Sequence, residues 1–509
     1  MNVNTTEYGV NIRDTVFNKV VEQSVDADFT LPDYCPEISR VLKCVTTPVV
    51  LSKSVNGTQA TVDGNITFCF IYTDSDNQIS SYEYSYPFSK SFELGDSVMN
   101  AEFKTKIRID YMNVRAISER RVEFHGAVGI LCIITEKKTK NIISDIDSDC
   151  VFQRSGTINA ITPITAADKH IIVEEETEIG QGKPAIKCVI RKNADAVVSE
   201  CKIISNKAVI KGNVMLQVLY SPNPDGRPQN FETTIPFSQV IELPDITDEC
   251  KCDTKISVLS LEVDPKQGMS EECRTLSISA KLLITLDAYC DNEIPVIYDV
   301  FSGKYEVTSD MEEVGFEKII GNINENYMCK KTLEFSDNAI GTVVDIWGDT
   351  FISGVKHTDN QAVINGTVNI NILGYDSSGT PAFFERGIDF EYTFDLESAP
   401  VSFKCDPEIE VSNLSYNILD SNKIEIRAEL SINAVIYDVE KGNVITDIEV
   451  NTDNECNHRQ DAALILYYAD CGETVWDIAK RYSASPLEIA EVNEVTEEVL
   501  SSKKVLLIP

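Results

Sequence analysis

The sequence predicts a mainly β chain, with three repeated β-rich domains, each sandwich-like or small-barrel-like, and a small C-terminal βααβ domain. Three observations carry this. An alternating segment recurs as ATVDGNITFCFIY at 60–72, AVIKGNVMLQVLY at 208–220 and AVINGTVNINILGY at 362–375. Each copy continues through a turn rich in Asp, Asn, Pro or Gly into a second apolar segment. The last stretch, 468–509, places helically spaced apolar residues between two short strand-like runs. Self-similarity at a fixed period is read before anything else, because each copy is one structural unit.

The elements follow in order. Segment 1–27 carries Ile12, Val16 and Val20 at four-residue spacing, which predicts an amphipathic helix. In PDYCPEISRVLKC, Pro36 is well placed for the first turn of a short helix. Ile38, Val41 and Leu42 recur as Ile186, Val189 and Ile190, and again as Ile340, Val343 and Val344. This set reads either as a docking element or, preferably, as a plug for the core.

The anchor segment alternates with period two, as a half-buried strand does. Gly64, Gly212 and Gly366 sit at its centre, where glycine marks a bulge or a close backbone approach. The third copy has one extra residue before Tyr375, which fits a bulge. The turns TDSDN, SPNPDG and DSSG supply hairpin chemistry. In the next strand Phe88, Phe237 and Phe390 align, as do Leu94, Leu243 and Leu396. A late strand recurs as RVEFHGAVGILCII, TLSISAKLLITLDAY and KIEIRAELSINAVIY. The expected domains are 28–150, 172–300 and 329–450, then a linker at 451–463 and the small domain at 464–509. Segments 151–171 and 300–328 read as connectors that pack or pair.

Composition narrows the function. The 509 residues carry a formal charge of −36, which repels nucleic acid and anionic membranes. It favours solubility or a basic partner. With 43% hydrophobic and 8% aromatic residues the chain can bury real cores. The start lacks the apolar core of a secretory leader, and no run approaches the ~20 apolar residues of a transmembrane segment. Fifteen Cys are scattered among strands, an odd number that reads as reduced thiols, not a disulfide framework. Cys250 and Cys252 are spaced too closely for a usual zinc pair, and there are only four His. GQGK at 180–183 lacks the remainder of a phosphate loop. No nucleophile–base or acid–base constellation stands out, so the expectation is a non-enzyme with no cofactor and no metal.

The C-terminal stretch resembles a LysM module, a small βααβ fold named for binding N-acetylglucosamine-type glycans. Gly472-Glu473-Thr474 stands where the family has Gly-Asp-Thr, a turn leading into a helix. Ile478, Ala479 and Tyr482 share one helical face, Leu487 and Ile489 open a second helix, and Val505 to Pro509 closes the fold. Lys503 occupies the turn where the family usually has Gly, beside the family's glycan groove. The binding candidates are Gly472, Glu473, Thr474, Val475, Trp476, Asn493 and Lys503. Trp476 reads equally as an interface anchor or as a packing residue. Leu487, Ile489 and Ile508 read as core, and Asn493 as a backbone-satisfying residue.

β-Rich repeats, the LPDYCPEISRVL segment and a terminal LysM-like stretch together resemble the SPOCS-domain, SipL-like spore-coat assembly proteins of spore-forming clostridia. That resemblance implies a non-enzymatic scaffold in the mother-cell cytoplasm at the forespore surface. It implies as partner the morphogenetic ATPase of the coat's basement layer. The alternative is a cell-wall protein that binds peptidoglycan glycan.

Overall fold

The computed structural model describes residues 4–267, 272–335, 340–455 and 465–509. Repeat 1 comprises β1 (Asn4–Thr30), β2 (Arg40–Asn56), β3 (Gln59–Thr73), β4 (Ile79–Glu93), β5 (Ala101–Ala116) and β6 (Arg121–Asp147). Repeat 2 comprises β7 (Val151–Glu178), β8 (Ala185–Ile204), β9 (Lys207–Asn223), β10 (Gln229–Glu242), β11 (Lys251–Gln267) and β12 (Cys273–Ser302). Repeat 3 comprises β13 (Tyr305–Glu334), β14 (Ile340–Thr358), β15 (Gln361–Asp376), β16 (Pro381–Asp395), β17 (Phe403–Cys405), β18 (Glu408–Asp420) and β19 (Lys423–Glu455). The chain ends in β20 (Ile465–Ala469), α1 (Val475–Tyr482), α2 (Pro486–Val492) and β21 (Lys504–Ile508).

Each repeat is a sandwich of two antiparallel sheets. One is a meander, in the order β2-β3-β4, β8-β9-β10 or β14-β15-β16. The other places the last strand between the first and the penultimate ones: β1-β6-β5, β7-β12-β11, and β13-β19 with β17 and β18. The alternation that marks the anchor strand becomes its buried face. In β3, Ala60, Val62, Ile66, Phe68 and Phe70 are fully buried against Val122, Phe124 and Val128 of β6. Burying a large apolar side chain contributes roughly 1.5–3 kcal/mol, so this alternation alone fixes which side of the strand faces inward.

The central glycine of each anchor marks a close approach. A Cβ on Gly64 would lie 2.3 Å from the Phe88 ring and 2.5 Å from the Val49 carbonyl. Gly212 meets Phe237 and Val197 in the same way, and Gly366 meets Phe390 and Phe351. Glycine and aligned phenylalanine are thus one packing unit, directly paired across the meander as Gly64↔Phe88, Gly212↔Phe237 and Gly366↔Phe390. The tyrosines that end the first two anchors are also explained. Tyr72 donates to the Pro36 carbonyl at 3.0 Å, and Tyr220 to that of Pro184 at 3.1 Å.

The opening segment departs from the sequence reading. Instead of an amphipathic helix, residues 4–30 form β1, paired with β6 from Asn4↔Asp147 to Thr30↔Arg121. The apolar spacing of four is compatible with a strand, since four is also an even number, and the long partner strand decides. No helix follows Pro36 either; residues 33–35 turn, and Ile38 enters the repeat core. Segments 151–171 and 300–328, read as connectors that pack or pair, do pair: apart from a turn at 303–304 they belong to β7, β12 and β13. Residues 451–455 extend β19, and the remainder of the expected linker to 464 lies outside the described residues. Cys250 and Cys290 are joined as a disulfide, contrary to the expectation of reduced thiols alone.

The repeats close into a ring. β4 meets β8, β10 meets β14, and β16 returns to meet β2. Head-to-tail contacts of this kind close only when the rotation per unit matches the number of units. Equivalent residues of all three anchors, Ile71, Leu219 and Leu373, share one apolar cluster with Leu42, Ile190 and Val344. The recurring Ile-x-x-Val-Leu pattern therefore does two jobs: Ile38 and its counterparts plug each core, while Leu42 and its counterparts join the repeats. The outer halves of the long strands form three ribbons that pack together through Val10, Ile142, Ile294, Val314 and Val444.

Candidate functional site

The C-terminal βααβ unit builds a core of its own. Ile478, Ala479, Ile489, Leu506 and Ile508 are buried together, with Tyr467 and Tyr482 packed edge-on at their margin. Thr474 is the N-cap of α1, its Oγ1 accepting the Asp477 amide at 3.0 Å. Ser485 caps α2, whose first residue is Pro486. Both caps satisfy amides that a helix leaves free at its start.

The candidate residues fall into two groups. Gly472, Glu473, Thr474, Val475, Trp476 and Lys503 lie at one end, around the turn before α1. Gly472 has φ +93°, the left-handed region that favours glycine, and its amide donates to Leu500 at 2.8 Å. The Glu473 carboxylate accepts from the Tyr467 hydroxyl at 2.7 Å and the Asp470 amide at 2.8 Å. These two bonds hold its carboxyl below its ordinary pKa. Lys503 pairs with Asp470 at 2.7 Å on the exposed rim. Asn493 stands apart: its side chain bridges Ile489 and Leu507, clipping α2 to β21. Its role in the fold is to satisfy backbone groups.

One reading needs correction, and one open alternative is decided in favour of packing. Leu487 is not core; it is 74% exposed on α2. Trp476 is not exposed, and neither is Val475. Trp476 packs edge-on against Phe301 of β12, with ring centroids 4.9 Å apart, and its Nε1 donates to Asp299 at 2.8 Å. Phe152 of β7 lies beside Phe301. Lys480 on the next turn of α1 pairs with Asp299 at 2.6 Å, and Arg154 pairs with Glu498 at 2.6 Å. The module is thus seated on the ribbon of repeat 2 through one aromatic contact and a ring of charged bonds. Burial pushes the Asp299 carboxyl up, but bonds from Lys480 and Trp476 outweigh it and hold the group below the usual carboxylate range.

Sequence reasoning missed Phe152, Asp299 and Phe301 as parts of this seat. Asp299 and Phe301 lie where the second repeat and the connector after it were expected to meet, Phe152 at the start of the connector before it, and nothing in their local pattern announces a partner so far along the chain. The exposed surface left to the module includes Leu466, Tyr468 and Val505 on its sheet and Leu487 and Val492 on α2.

Three segments, residues 37–117, 185–266 and 339–419, match the family described as SipL, SPOCS domain. Each match begins at the edge of the meander and ends in the penultimate strand, leaving the long first and last strands outside it. No curated protein and no solved structure matches the chain. No helix among the described residues is long and apolar enough to cross a membrane. Each of the three matches falls on one structural repeat, so the chain is similar to the SipL, SPOCS domain family once in every repeat.

Proposed function

We propose that the chain is a non-enzymatic scaffold of spore-coat assembly, whose C-terminal LysM-like module binds the morphogenetic ATPase of the coat's basement layer. It acts in the mother-cell cytoplasm and localises that partner to the forespore surface. The observation that carries this reading is the triple SPOCS match. The ring of repeats adds a fixed base, and a module on a rigid base presents its free surface in one orientation. Pre-organisation of that kind lowers the ordering cost of binding. The burial of Trp476 supports a protein partner over a glycan, because the aromatic ring at the turn is not free to stack on a sugar.

Removal of residues 465–509 tests the proposal in sporulating cells. Recruitment to the forespore should be lost while the purified repeats retain their cooperative unfolding. Normal recruitment of the truncated chain would overturn it. Sedimentation of the full chain with purified peptidoglycan would favour the wall-binding alternative instead.

A further inference from the structure

The disulfide of repeat 2 occupies a position where the other repeats hold a carboxylate. Cys250 immediately precedes β11, next to the directly paired residues Lys251↔Tyr289, and is bonded to Cys290 of β12. The same place in repeat 1 is Ala101↔Glu136, and in repeat 3 it is Phe403↔Asp438. Glu136 accepts the Met99 amide at 3.1 Å. Asp438 accepts the amides of Val401 and Ser402 at 2.9 and 2.8 Å. In both cases the carboxylate ties down the turn that leads into the strand paired at that point, β5 in repeat 1 and β17 in repeat 3. In repeat 2 the corresponding turn, 243–250, has no carboxylate there, and the tie is the Cys250–Cys290 bond, with Cα atoms 4.5 Å apart.

Repeat 2 also concentrates thiols near this tie. Cys252 lies two residues beyond Cys250, on β11, and packs with Cys201 of β8 against the same core. All four sulfurs belong to the core of this repeat. By register, repeats 1 and 3 hold Lys53 and Val355 in place of Cys201, paired with Val62 and Ile364 as Cys201 is with Ile210.

We propose that repeat 2 carries a thiol-controlled fastening, closed when Cys250 and Cys290 are joined and open when they are reduced, so that only this repeat answers to the redox state around it. A low-molecular-weight disulfide such as oxidised glutathione closes it. The partly exposed Cys290 thiolate attacks one glutathione sulfur and displaces a glutathione thiolate. The Cys250 thiolate then displaces the second. Two electrons pass to glutathione, and the two protein thiol protons end on the two released glutathione thiols. A dithiol reductant reverses the step.

The test uses the full chain in glutathione buffers from fully reduced to fully oxidised. Free thiols are blocked with iodoacetamide, linked peptides are mapped by mass spectrometry, and the cutting of 243–250 by a non-specific protease is timed. A peptide joining Cys250 to Cys290 is expected under oxidising conditions, with cutting of the turn slowed about tenfold or more, since local opening governs such cleavage. A Cys250→Ala/Cys290→Asp variant copies the tie of the other repeats, and its cutting rate should not depend on the buffer. The absence of that linked peptide at every ratio, a Cys201–Cys252 link in its place, or equal cutting of the oxidised and reduced chains would overturn the proposal.

Discussion

Arg191 donates through Nε to Asp345 at 2.7 Å, and both side chains are almost wholly buried, at 5% and 8% exposure. The pair spans repeats 2 and 3, and the guanidinium lies 4.3 Å from the centre of the Trp347 ring. The residue at the same register in repeat 1 is Lys43, which pairs with Glu385 of repeat 3. One position therefore carries Lys, Arg and Asp in turn, and the joints of the ring differ by charge. Removing one partner of a buried pair strands the other charge. Asp345→Ala should cost about 3–5 kcal/mol in urea unfolding, and an Arg191→Met/Asp345→Leu double variant should cost much less.

Gly64, Gly212 and Gly366 are predicted to be intolerant of any side chain. Each added Cβ meets both a backbone carbonyl and a phenylalanine ring at 2.3–2.6 Å. Gly366→Ala should destabilise repeat 3 by about 1–3 kcal/mol, toward the upper end because a carbonyl cannot rotate away. Gly354→Ala is the control: nothing lies within 4 Å of its Cβ position, and denaturant midpoints of the two variants should separate clearly.

Asp299→Ala should loosen the terminal module without unfolding the ring. It removes the acceptor of both Trp476 and Lys480. Hydrogen exchange in α1 should rise, while exchange in β9 and β15 stays slow. Because the Asp299 carboxyl is held below its unfolded pKa of 3.8, its contribution is present above that pH and fades as the pH falls through the native value. Acid should therefore release the module in the native chain, and this step should be absent from Asp299→Ala.

Glu410 predicts the opposite dependence. The side chain is exposed to solvent at its edge, yet desolvation by the groups packed around it, then the charges of Asp195 and Glu408, lift its carboxyl to about 7, so its effect on stability is a small one. Desolvation by neighbouring groups also raises Asp195, which is half-buried, and Asp349, which is exposed. A carboxyl raised on folding gives stability that is complete below its unfolded pKa of 4.5 and is lost as pH rises through about 7. Thermal midpoints should fall across that window in the native chain, and Glu410→Gln should flatten part of the fall.

The repeats were legible because their signals are local. The anchor strand alternates, its glycine and the aligned phenylalanine recur, and turn residues separate the strands. The long outer strands were less legible. β1 was mistaken for a helix because its apolar residues fall every fourth position, a spacing that a strand paired along its whole length also tolerates. The segments read as connectors that pack or pair do pair, but as parts of longer strands: β7 and β13 carry on past the compact sandwich, where their partners come from the end of the same repeat. In the module, the two helices followed from Gly472-Glu473-Thr474 and the apolar spacing. The fate of Trp476 did not, since it depends on Asp299 and Phe301, more than 170 residues earlier in the chain.

The pairing of first strand with last sets the order of events during synthesis. Asn4 faces Asp147, Val151 faces Ser302, and Tyr305 faces Glu455. A repeat therefore cannot complete its second sheet until its final strand has left the ribosome. At roughly 5–20 residues per second this leaves the leading strand without its partner for about 8–30 s in each repeat. Its unpaired edge is then open to other chains, so slower translation or crowded polysomes would raise the fraction lost to aggregation before the ring can close.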